Sequence, residues 1–151
     1  MILDTGVLVF TCNWDGWSCI ETAASSGLHY PSSVKVVKVS CLSRIHAGLI
    51  LKAFEFGADG VMLLGCEPGR CRYGTDSEFI INEYEKARSI LEMLGIRKDR
   101  LALVQLPAFD GRGFVTRITS LITEVERLSA LKRAKIAGSG ATQDVAVPSH
   151  S

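Results

Sequence analysis

The chain has 151 residues, enough for one domain with a substantial core. Seventeen Lys and Arg against sixteen Asp and Glu leave a formal net charge of +1. No Lys/Arg-rich stripe runs through an element, so the electrostatic footprint of general nucleic-acid binding is missing.

The first predicted strand, residues 7–12, leads through Asn13-Trp14-Asp15-Gly16-Trp17 into a short helix near Ser18–Ser26, with Gly27 placed to end it in a left-handed conformation. Pro31-Ser32-Ser33 turns the chain into a second strand, Val34–Val39. A helix near Ile45–Phe56 stops at Gly57, and the third strand, residues 60–65, opens into the Gly/Pro-containing loop Glu67–Gly74. Asp76 or Ser77 is suited to cap a long helix on which Ile80, Tyr84, Ala87, Leu91 and Leu94 recur at helical spacing. The fourth strand, Leu101–Leu106, precedes a helix carrying Val115, Ile118, Ile122, Val125 and Leu128 on one stripe.

Four βα units in series predict an α/β domain: a four-stranded parallel sheet covered by helices on both faces, in three layers. Right-handed crossovers and one reversal of direction give the order 2-1-3-4, a flavodoxin- or Rossmann-like arrangement. After about Leu131 the periodicity ends, so residues 1–131 are expected to form the domain and 132–151 a tail that is flexible or orders against a partner. No apolar run approaches the roughly 20 residues of a membrane-spanning helix. Met1–Gly6 shows neither a basic leader nor a cleavage site, and a cytoplasmic location is expected.

The cysteines are the most informative residues. Cys12, Cys41 and Cys66 close the first three strands, and Cys19 and Cys71 follow in the segments that leave two of them. In open α/β sheets ligands bind beyond the carboxyl ends of the strands, and in a reducing compartment clustered thiols point to metal or catalysis more than to disulfides. One or two such residues would read as small core hydrophobes, but five at one edge point to a metal or cluster site. Thiolates without a well-placed histidine suit iron–sulfur better than catalytic zinc, although four cysteines could also hold a structural zinc. Cys66-x4-Cys71 has the first spacing of plant-type ferredoxins but lacks their next cysteine. The same loop fits C-x-x-G-x-x-R, the pattern of cysteine-dependent phosphatases, with Cys66 as nucleophile and Arg72 as the anion holder. His46 falls at a helix start beyond the second strand, His29 in a turn and His150 in the tail, and no dinucleotide fingerprint follows the first strand.

Several ordered motifs, Val9-Phe10-Thr11-Cys12-Asn13-Trp14, Val36-Val37-Lys38-Val39-Ser40-Cys41, Lys52-Ala53-Phe54-Glu55-Phe56-Gly57-Ala58-Asp59-Gly60-Val61 and Gly65-Cys66-Glu67-Pro68-Gly69-Arg70-Cys71-Arg72-Tyr73, together resemble the delta subunit of methyl-viologen-reducing hydrogenase over about residues 6–128. The resemblance implies a [2Fe–2S] electron-transfer subunit without a substrate site of its own. One implied partner is a heterodisulfide-reductase-like flavin/iron–sulfur subunit. The other would be a hydrogenase, formate dehydrogenase, methylenetetrahydrofolate reductase or benzoyl-CoA reductase type module. Cys12, Cys41, Cys66 and Cys71 match family cysteines. The family's first motif reads C-N-W-C, whereas Asp15 stands here at its second cysteine and Cys19 comes four residues later. Positions 15 and 19 share a face if a helix starts there, so Cys19 is a candidate substitute ligand. Arg70 and Arg72 are expected to add positive charge beside the site, and Trp14 and Trp17 to shield it or anchor a partner.

Overall fold

The computed structural model describes residues 6–74 and 76–146, with side chains described as far as Gly138. The start of the chain, read above as lacking a leader, and His150 lie outside the described residues apart from Gly6. Strands β1 (Val7–Cys12), β2 (Val34–Val39), β3 (Gly60–Cys66) and β4 (Leu101–Leu106) alternate with helices α1 (Asp15–Ser25), α2 (Ala47–Glu55), α3 (Ser77–Met93) and α4 (Gly111–Ala146). The sheet is parallel throughout, in the order β2-β1-β3-β4, as the βα pattern predicts.

Strand side chains alternate between two cores. On one face Val7, Val9, Met62, Leu64 and Val104 meet Cys19, Ile20 and Ala23 of α1 and Phe114, Ile118, Ile122 and Val125 of α4. On the other, Phe10, Val61, Leu63 and Leu101 meet Ile50 of α2 and Ile80, Ala87 and Leu91 of α3. The central strand β3 is covered on both faces, which explains its unbroken apolar run. Gly27, Gly57 and Gly95 each follow a helix with φ between 74° and 106°, as their positions in the sequence imply.

Three details position the site. Helix α1 starts at Asp15, directly after a two-residue turn from β1, three residues earlier than its periodicity suggests. A short 3-10 turn, Leu42–Arg44, precedes α2. His46 occupies the N-cap of α2 without a side-chain cap; the first N–H of that helix, at Ala47, donates instead to Glu83 Oε1 of α3 at 2.9 Å.

Helix α4 continues to Ala146, past the end of its buried stripe, and Leu131 to Gly138 are exposed. Among the described residues no helix is long and apolar enough to cross a membrane.

Candidate metal centre

Parallel pairing of β1 with β3 aligns Thr11 with Leu64, so both strands reach the carboxyl edge together. Their last residues, Cys12 and Cys66, bring their Sγ atoms to 3.7 Å. Cys41 lies two residues beyond β2, in extended backbone at φ −158° and ψ 148°, as the residue that opens the 3-10 turn. Its Sγ meets that of Cys71 at 3.5 Å.

Cys71 is delivered by the loop between β3 and α3. There Arg70 N–H donates to the Glu67 carbonyl and Gly74 N–H to the Cys71 carbonyl, each at 3.0 Å. The loop bends through Gly69 and Gly74, at φ 80° and 68°, a region that residues with a Cβ seldom adopt. Asp76 then caps α3 by accepting from Glu78 N–H at 2.9 Å.

Cys12, Cys41, Cys66 and Cys71 line one pocket at the carboxyl edge, together with Trp14, Leu42, Gln105 and Ile80. Cys12 and Cys41 are buried, and Cys66 and Cys71 are half-buried. None of the five cysteines is in a disulfide. Among the described residues, no three or more His, Cys, Asp or Glu groups gather as they would round a single metal ion. The thiols are organised as two pairs.

Two glycines make room beside the pairs. A Cβ on Gly65 would lie 2.5 Å from Leu42 Cδ1, so the glycine leaves space for the side chain that follows Cys41 against the end of β3. A Cβ on Gly16 would lie 2.8 Å from the Leu64 carbonyl oxygen, and Gly16 N–H donates to Cys12 Sγ at 3.2 Å. The Cys66 thiol, opposed by burial and aided by N–H groups of the α1 turn, lowers Cys12 from 9.0 to about 6. Sharing with Cys12 pushes Cys66 upward, and burial adds to the rise. The pair therefore gives up its first proton readily and its second reluctantly.

Cys19 is placed elsewhere. The helical turn from Asp15 to Cys19 exists, but Cys19 turns into the core between α1 and α4, fully buried, and does not line the pocket. Its thiol donates to the Pro107 carbonyl at 3.3 Å, and burial raises its pKa.

The pocket's rim comes from the segments that carry Cys12 and Cys71. Arg72 places its guanidinium 4.6 Å from the Trp14 ring centroid, and the Tyr73 ring meets Trp14 edge-on at 6.4 Å. Trp17 packs against the α1–α4 core beneath Lys38, whose Nζ is 4.4 Å from its ring centroid. Arg70 is exposed. His46 is exposed, stacks edge-on against Phe79 at 5.5 Å and stands 4.0 Å from Glu83, outside the thiol pocket.

Gln105 lines the pocket, and Gly16 and Gly65 make room beside it; of the three only Gly65 falls within one of the motifs. Gly16 has a signal in the sequence: a glycine four residues after a strand-end cysteine, where a helix must start against that strand. For Gln105, an interior strand residue, the sequence carries no distinguishing mark.

A family model described as methyl-viologen-reducing hydrogenase, delta subunit, matches residues 7–129. The chain is 31% identical over 122 residues to the vhc iron-sulfur subunit of the F420-non-reducing hydrogenase of Methanococcus voltae, covering 81% of this chain and 85% of that one. It is 29% identical over 126 residues to the vhu iron-sulfur subunit of the F420-non-reducing hydrogenase of Methanocaldococcus jannaschii, covering 83% and 94%. It is also 30% identical over 131 residues to a subunit of the ferredoxin:CoB-CoM heterodisulfide reductase of Methanosarcina mazei, covering 84% of this chain but only 16% of that much longer relative.

Proposed function

Because the chain belongs to the methyl-viologen-reducing hydrogenase delta subunit family, we propose that it is an electron-transfer subunit that holds a [2Fe–2S] cluster on Cys12, Cys41, Cys66 and Cys71. The observation that carries this reading is the pairing of the thiols, at 3.7 Å and 3.5 Å, in one pocket. Two thiolates on one tetrahedral metal with bonds of about 2.3 Å stand about 3.8 Å apart. Two such pairs suit a dinuclear group, in which each iron takes two protein sulfurs. A single zinc would draw all four sulfurs round one point, and the two-pair arrangement does not favour it. The relatives named as iron-sulfur subunits supply independent support.

The cluster would contribute one-electron chemistry; the chain's part is to hold it, shield it and set its potential through hydrogen bonds to sulfur, charge and exposure. Gly16 N–H already donates to Cys12 Sγ, and Arg72 brings positive charge to the rim. Cys19, bonded to Pro107 in the α1–α4 core, serves packing in this reading. The phosphatase alternative finds less support: the Cys66 thiol pairs with that of Cys12, and the Arg72 guanidinium is engaged over the Trp14 ring.

Partners follow from the relatives. One is a hydrogenase subunit, and another carries a related segment inside a heterodisulfide reductase subunit. We place this chain between an oxidoreductase module, of hydrogenase, formate dehydrogenase or similar type, and a heterodisulfide-reductase-like flavin/iron–sulfur subunit, with its cluster edge against one of them. Residues 132–151, of which 132–138 expose Lys132, Arg133, Lys135 and Ile136, would brace the same assembly. Anaerobic purification followed by iron and sulfide analysis tests the centre. About two of each per chain are expected, and a colourless protein holding one zinc would overturn the reading.

A further inference from the structure

Trp14 carries a polar atom that no described residue satisfies. Its indole Nε1 is buried and has no hydrogen-bond partner among the described residues. Leaving a buried N–H unpaired forfeits the hydrogen bond it made with water, and native interiors keep few such groups. Each one asks what acceptor belongs there.

The surroundings narrow the answer. Trp14 lines the pocket shared by Cys12, Cys41, Cys66 and Cys71. Its ring lies against Arg72, 4.6 Å from the centroid, and against Tyr73 in an edge-to-face pair at 6.4 Å. Neither contact gives the N–H a hydrogen-bond acceptor. Asp76, a carboxylate of the same pocket, caps α3 through Oδ1, and neither it nor Glu67, the pocket's other carboxylate, accepts from the indole. What the pocket would hold beyond these side chains, on the reading of the preceding subsection, is sulfur.

We propose that the Trp14 indole N–H donates a hydrogen bond to a sulfur atom of the iron–sulfur group, and that Trp14 is thereby a potential-setting residue. The inference rests on the cluster reading and goes beyond it. A donor aimed at cluster sulfur favours the reduced form, which carries one more negative charge, and so raises the potential. No proton is transferred; the indole keeps its hydrogen in both oxidation states. The Arg72 guanidinium on the Trp14 ring acts in the same direction and fixes the ring that presents the donor.

The test uses the anaerobically purified protein. Trp14→Phe keeps an aromatic ring and removes the donor. The expected result is an iron and sulfide content equal to wild type, with a more negative potential in a spin-resonance redox titration. Trp17→Phe, whose ring packs in the α1–α4 core, should leave the potential unchanged. In wild-type protein labelled with indole-15N tryptophan, electron–nuclear double resonance should show an exchangeable proton coupled to the cluster and bonded to 15N. That signal decides the matter even if Trp14→Phe fails to load or fold. A fully loaded Trp14→Phe protein with the wild-type potential, or the absence of that proton in wild type, would overturn the proposal and leave the cluster standing. Wild-type protein without iron or sulfide would overturn the cluster reading and this inference with it.

Discussion

Two glycines at matched helix positions provide a clean test of how the site is packed. Gly16 is the second residue of α1 and Gly48 the second residue of α2. Replacing either by alanine gains the same helix preference, up to about 1 kcal/mol, so that term cancels in the comparison. The surroundings differ. A Cβ at Gly48 meets nothing within 4 Å, whereas one at Gly16 would lie 2.6 Å from Thr11 Oγ1, 2.8 Å from the Leu64 carbonyl oxygen and 3.2 Å from Cys12 Sγ. Thr11 is fully buried, and Leu64 O belongs to the central strand, so neither can step aside cheaply. Overpacking of this kind costs about 1–3 kcal/mol. For a chain of this size, about 2–4 °C in Tm accompanies each kcal/mol. Gly16→Ala should therefore melt about 2–12 °C below Gly48→Ala when both are followed by circular dichroism under anaerobic conditions. Because the displaced helix turn supplies an N–H to Cys12, Gly16→Ala should also bind less iron than Gly48→Ala. Equal melting temperatures for the two variants would show that α1 is not seated against β3 as described.

Other expectations concern the thiols, the charges and acid stability. Serine at Cys12, Cys41, Cys66 or Cys71 should lower iron content sharply while Cys19→Ser keeps it, and iron retained by Cys71→Ser but lost by Cys19→Ser would reverse the ligand assignment. Glu83 accepts from Ala47 N–H and from Lys86, and these contacts hold its pKa below the usual 4.5. A carboxyl lowered by folding stabilises the fold above its unfolded pKa, and the benefit disappears as pH falls through the folded value. Wild-type Tm should thus drop more steeply than that of Glu83→Gln as pH falls below about 4.5, and parallel curves would remove Glu83 from the account. Purification from the native source should yield a complex with larger redox subunits. Reversing Arg70 and Arg72 to glutamate should weaken that complex or slow electron transfer, whereas a native monomer fully active with soluble ferredoxin would contradict the subunit role.

The sheet order was legible because β-branched runs and helical stripes alternate four times, and burial on both faces leaves that pattern little freedom. The edge that holds the thiols followed from the positions of Cys12, Cys41 and Cys66 at strand ends. The pairing did not, since it depends on the loop from Glu67 to Asp76 and on glycines whose role lies in what they allow to approach. Cys19 shows the limit of spacing arguments. Residues 15 and 19 do lie on one helical turn, but whether the side chain faces the pocket or the core depends on how α1 rolls against α4, which a four-residue interval does not encode. The extent of α4 was hidden for another reason. An apolar stripe reports burial and not helicity, and residues 132–138 are helical but exposed, rich in Lys, Arg and Ala that favour a helix without needing a core.

The two thiol pairs also tie together parts of the chain that are distant in sequence. Cys12 and Cys66 are 54 residues apart and join β1 to β3, while Cys41 and Cys71 are 30 apart and join the end of β2 to the β3–α3 loop. The first pair is already seated by ladder hydrogen bonds between adjacent strands. The second depends on a loop whose turns, among the described residues, are two backbone bonds and two left-handed glycines, followed by the Asp76 cap of α3. A group bound only by the folded chain stabilises it in proportion to its affinity, and the gain should be largest where the protein's own contacts are fewest. If the chain holds the proposed cluster, its loss should therefore loosen the 67–76 loop and the 3-10 turn after Cys41 before it disturbs the sheet. Amide exchange should show this as early loss of protection there, with β1 and β3 unchanged; uniform loss across the sheet would mean that the pairs act as a global staple. Tyr73 and Arg72, which cover Trp14, sit on that same loop. On the proposed ligand set, the segment that supplies Cys71 also shapes the rim that a partner would meet, so assembly of the complex and filling of the site should be coupled.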